Sequence, residues 1–111
     1  MNDVRLYLIH IAENIADIAE FTQAGRDAFI ASKQTQAAVK YTLQTLAEST
    51  QRLPDDLKAS HPEIDWIAIA GLRNRLVHDY LGIDLEILWD IVTTDLEPLN
   101  KAVEDMLKTY E

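Results

Sequence analysis

Between Gly71 and Tyr80 the chain reads GLRNRLVHDY, which sets Arg73, Asn74, Arg75, His78, Asp79 and Tyr80 among apolar positions. Arg73 offers a planar, permanently charged fork that suits an anionic oxygen group. His78 can take up or release a proton near neutral pH. Asn74 brings an amide that both donates and accepts, and Tyr80 closes the run with a phenol. A fixed cation together with a proton carrier is what a reaction needs when negative charge grows in its transition state.

Helical spacing decides whether these groups can cooperate. Arg73 and Tyr80 are seven residues apart, about 20° out of register on an ideal helix, so both follow the line of Ile69 and Leu76. Asn74 and His78, four apart, stack on a neighbouring face. Arg73 and His78, five apart, diverge by roughly 140°. They can meet at one substrate only if the helix loosens near His78 or if a second copy of the chain supplies the complement. Gly71 leaves a place without a side chain where another helix can approach. Each residue also has an ordinary use: Arg73 paired with one of nineteen acids, His78 against a helix C-terminus, and Tyr80 as a core residue with its hydroxyl in water.

The elements that must position this segment read as helices, because period-3.6 apolar patterns run almost without interruption and no alternating run is long enough for a strand. Val4, Leu8, Ile11, Ile15 and Ile18 mark the first helix, which should stop between Thr22 and Gly25. A short piece over Arg26 to Ala31 precedes a long helix from Gln34 to Arg52, on which Val39, Leu43 and Leu46 form a stripe that runs on to Leu53. Pro54 ends it, DDLKA gives one turn of helix, and Pro62 biases His61 out of helical angles. The quoted segment lies on a helix from Ile64 to Val77 or a little beyond. After a break at Gly82 and an N-cap at Asp84, a last helix runs from Leu85 toward Tyr110, with Pro98 expected to kink or split it. The fold class is therefore all-α: an antiparallel bundle of four to five helices in a single domain over residues 1–111.

Composition narrows the setting. With 111 residues, 48% hydrophobic and 26% charged, the chain can bury one modest core and should fold. It has no cysteine, which removes disulfides and thiol nucleophiles and favours a reducing, cytoplasmic location. No apolar run is long enough to span a bilayer. The net charge of −9 argues against long-range attraction to nucleic acid or anionic membrane, so any polyanion must be drawn by local positive charge. The three histidines His10, His61 and His78 lie in separate segments without metal-ligand spacing. Trp66 and Trp89 sit beside apolar helix positions and read as packing anchors.

Arg73, four intervening residues, His78, one residue and Tyr80 resemble the R-x4-H-x-Y signature of the HepT-like HEPN family. The resemblance extends to AGRDAFIAS, to RLPDDLKASHPEIDWIAIAGLRNRLVHDYLGIDLEILWDIV and to DLEPL, so it covers nearly the whole chain. It implies a helical homodimer with both copies of the motif in a cleft at the interface. It also implies a metal-independent ribonuclease toxin, without cofactor, paired with a nucleotidyltransferase antitoxin of the MNT type that adenylylates the motif tyrosine, here Tyr80. On that reading the 2′-hydroxyl of RNA attacks the adjacent phosphorus, His78 moves protons, Arg73 steadies the phosphoryl charge and Asn74 orients the phosphate or the imidazole. Adenylylation of Tyr80 would then block the site with bulk and negative charge. The rival is a non-catalytic helical subunit that binds the nucleotidyltransferase, which the acidic balance favours.

Overall fold

A computed structural model describes residues 3–78 and 82–110. Helix α1 (Asp3–Phe21) buries Leu8, Ile11, Ile15 and Ile18, the stripe legible in the sequence. It ends where Gly25, at φ 96°, donates its amide to the Thr22 carbonyl, a left-handed turn that a residue with a Cβ rarely adopts. Helix α2 (Arg26–Ala31) follows, and Ser32 then caps α3 (Lys33–Gln51) by accepting from the Thr35 amide at 3.1 Å. Gln36 donates back to the Phe29 and Ile30 carbonyls, which satisfies the end of α2 and fixes the corner. Helix α3 then runs back along α1, Asn14 Nδ2 donating to Thr45 Oγ1 at 3.2 Å between them.

The stripe of α3 is two-sided. Val39, Leu43 and Leu46 are buried, and Leu53, just past the helix end, continues the line into the core. One flank meets α1 and the other meets α5 (Trp66–His78), so α3 is the shared wall of the bundle. Between them lies α4 (Asp55–Ala59), the single turn foreseen after Pro54. Helix α5 starts two residues later than its apolar pattern suggests. The amides of Ile64 and Trp66 are taken up by turns, and Asp65 supplies the cap by accepting from the Ala68 amide at 3.0 Å.

The last stretch corrects an expectation. Asp84 caps α6 (Leu85–Asp90) by accepting from the Glu86 amide at 2.7 Å, as its position indicated. The irregularity does not fall at Pro98, however. A π-helical turn occupies Ile91–Asp95, and α7 (Leu96–Thr109) carries Pro98 in its first turn. Proline has no amide to give the carbonyl four residues back, and its ring crowds that carbonyl. Widening the helix one turn earlier accommodates both demands without breaking the run. Helix α7 then buries Leu96, Leu99, Ala102, Val103 and Met106 against α1.

Candidate functional site

Helix α5 is regular as far as His78, and Leu76 is its one fully buried residue. Leu76 is 1% exposed and anchors the inner line, with Ile69 and Leu72 partly buried against the same core. Arg73 lies beside that line and is half-buried. Its Nη1 donates to Asn74 Oδ1 at 3.3 Å, while its Nε is buried with no partner among the described residues. Among the described residues, no carboxylate forms an ion pair with Arg73.

His78 is exposed at the end of the helix. Because α5 stays α-helical up to that point, one of the two routes to a shared site, a loosened helix, is not taken, and Arg73 and His78 face directions roughly 140° apart. Asn74 stands between them around the helix, about 100° from Arg73 and about 40° from His78. A single chain therefore brings Arg73 and Asn74 together but not Arg73 and His78. Tyr80 lies outside the described residues.

A feature that sequence reasoning missed is the outer line of the same helix. Ile67 is 86% exposed, and Gly71, Asn74 and His78 follow it at steps of four, three and four, all exposed. A Cβ at Gly71 would meet nothing within 4 Å. The signal was present in the spacing, since Ile67 is nine residues from Leu76 and hence about 180° from the buried line. An exposed isoleucine and an exposed glycine thus share one face of α5 with Asn74 and His78.

Two basic residues on other helices are paired with acids. Arg26 forms a fork to both carboxylate oxygens of Glu86 and also meets Asp27, and the Glu86 hydrogen bond and charge hold its guanidinium even more firmly protonated than usual. Lys58 pairs with Asp55 at 3.9 Å. The groove of about 370 Å³ between α3, α5 and α7, floored by Leu43, Leu46, Ile69 and Leu72, is lined by neither Arg73, Asn74 nor His78.

The model of the ribonuclease HepT-like family matches residues 11–106, from the middle of α1 to the end of the buried stripe of α7. The chain belongs to the HepT-like ribonuclease family. It is 39% identical over 110 residues to a candidate RNase of Methanocaldococcus jannaschii, covering 98% of this chain and 91% of that protein. It is 39% identical over 103 residues to a candidate ribonuclease HepT of Thermococcus cleftensis, covering 92% of this chain and 94% of the other. A second M. jannaschii candidate RNase is 36% identical over 103 residues, covering 92% of this chain and 94% of that one. No solved structure matches the chain. Ribonuclease activity is the function that membership of the HepT-like family supports, and the helical bundle is the fold expected of it. Among the described residues, no helix is long and apolar enough to cross a membrane.

Proposed function

We propose that this HepT-like chain is a metal-independent RNA endonuclease, the cytoplasmic toxin of a toxin and antitoxin pair. Arg73 and His78 form the reaction centre in a cleft between two copies. Tyr80 accepts an inhibitory adenylyl group from an MNT-type nucleotidyltransferase antitoxin. The observation that carries the reading is the state of Arg73. Its Nε is buried with no partner among the described residues, and a buried donor left unsatisfied costs about 1–3 kcal/mol. A phosphate oxygen arriving from outside the chain removes that cost, and the half-buried fork strengthens the attraction.

The reaction then balances with side chains alone. His78 of one copy takes the proton from the 2′-hydroxyl as the O2′–P bond forms, and His78 of the partner subunit protonates the departing 5′ oxygen as the P–O5′ bond breaks. Arg73 steadies the charge that accumulates on the phosphoryl oxygens, with Asn74 holding the fork in place. Pairing through the outer line of α5 supplies the second imidazole that one regular helix cannot direct toward its own arginine.

Purified protein incubated with RNA in the presence of a chelator tests this directly. Cleavage that leaves cyclic phosphate ends and disappears in His78→Ala supports the nuclease. An intact RNA pool, with tight binding to the nucleotidyltransferase, supports instead the helical binding subunit that the net charge of −9 favours. Intact-mass analysis of the peptide containing Tyr80 after co-expression with the nucleotidyltransferase tests the adenylylation.

A further inference from the structure

Arg75 belongs to the GLRNRLVHDY run, yet the reaction proposed above leaves it unused. It is exposed, and among the described residues no carboxylate pairs with it. Helical phase decides what it can reach. Two residues from Arg73, it leaves α5 about 160° away, so one copy cannot bring both guanidinium groups to a single phosphate. Three residues before His78, it shares that residue's side of the helix, about 60° away, at the spacing where Cβ atoms are about 5–6 Å apart.

The charge on this helix runs against that of the chain. Ten basic residues stand against nineteen acids, and α1 to α4, α6 and α7 each carry at least one Asp or Glu. Among the described helices α5 alone has none, while Arg73, Arg75 and His78 all lie in its second half. Elsewhere Arg26, Lys58 and Lys101 are each paired with acids. A polyanion repelled by the net charge of −9 therefore meets, at this end of α5, positive charge undiluted by acids of the same helix. Asp79, four residues after Arg75, lies outside the described residues. An exposed pair along one helix is among the weakest ionic contacts, and a guanidinium gives it up for a phosphate.

We propose that Arg75 binds an RNA phosphate next to the one that is cut, as a substrate-binding residue outside the reaction centre. The proposal rests on the nuclease reading given above. In the paired arrangement Arg73 of one copy meets His78 of the partner subunit, and Arg75 of the partner subunit stands one turn back from that imidazole. A strand that places one phosphate between Arg73 and the imidazole then offers its neighbour to a charged fork. The two-fold axis repeats the fork on the other side of the cleft. Such a contact carries no base preference, because every nucleotide presents the same phosphate. It is made equally before and during the reaction, so it governs affinity rather than the rate of the chemical step.

Fluorescence anisotropy with a short single-stranded RNA, methylated at its 2′-hydroxyls so that it is bound without being cut, tests the contact on the full chain. Arg75→Gln should weaken binding about tenfold at low salt, to a similar degree for unrelated sequences. It should also make the fall of log K with log salt shallower by about 0.7 for each Arg75 that meets the strand. Arg75→Lys keeps the charge and should restore most of the slope. Lys108→Gln removes an equal charge from the exposed last turn of α7, where Asp105 faces His61 near the head of α5, the opposite end from Arg75, and should leave the slope native. With unmodified RNA, Arg75→Gln should raise KM with kcat held within about twofold. A native slope in Arg75→Gln, an equal loss of slope in Lys108→Gln, or a fall in melting temperature like that of a core truncation overturns the proposal. An Arg75-dependent slope in a chain that never cuts would refute the nuclease and leave the phosphate contact standing. Cleavage by a chain whose slope ignores Arg75 would do the reverse.

Discussion

Helices α5 and α7 are nearly equal in length, and they put their residues to opposite uses. The fourteen residues of α7 bury Leu96, Leu99, Ala102, Val103 and Met106 on one face and leave acids and lysines on the other. The thirteen residues of α5 fully bury only Leu76, place an arginine beside it and an isoleucine in open solvent. A helix that exists to pack separates its polar and apolar residues cleanly. One that mixes them carries a conformational cost that some other interaction must offset, and the mixed positions point to where that interaction takes place.

This contrast can be broken by experiment. The largest effect should come from His78→Ala, which is expected to slow RNA cleavage by about 10²- to 10⁴-fold while leaving the melting temperature close to native, because the ring is exposed. If it instead lowered the melting temperature as a core truncation does, α5 would be a packing helix like α7. Met106→Ala should do the reverse. It removes a side chain 1% exposed and should cost about 2–5 kcal/mol in denaturant unfolding, with cleavage by the remaining folded chain unchanged.

A smaller change is expected at the head of α5. Asp65→Ala removes the acceptor for the Ala68 amide and should cost about 1 kcal/mol, readable as a lower denaturation midpoint with an unchanged slope. The smallest effect on the fold should come from Ile67→Asp, within about 0.5 kcal/mol, because the residue touches little of its own chain. The same substitution should nevertheless shift the mass measured by light scattering toward the single chain and reduce cleavage with Arg73 and His78 intact. A variant that stays paired and active would show that the outer line of α5 is not the contact between copies.

Most of the helical framework was legible because its causes are local. The stripe of α1, the stop at Gly25, the break after Pro54 and the cap at Asp84 each depend on residues within a turn or two, and each stands where the spacing placed it. The irregularity near Pro98 was legible in kind but not in place, because a proline states which hydrogen bond is missing and leaves the chain to choose which turn absorbs the loss. Arg73, Asn74 and His78 were legible as candidates from their types and their signature. The exposure of Ile67 could have been read from its phase, and was hidden by the apolar residues on either side of it.

The amino-acid order by itself determined the helices, the family and the direction each side chain leaves its helix, since these follow from short-range sterics and hydrogen bonding. Tertiary packing alone decided that the Nε of Arg73 is buried with no partner among the described residues, that no described acid comes to neutralise it, and that His61 meets Asp105 from the far end of the chain. Such facts depend on which surfaces the helices turn toward each other, and burial and pairing are properties of the assembled bundle rather than of any one segment.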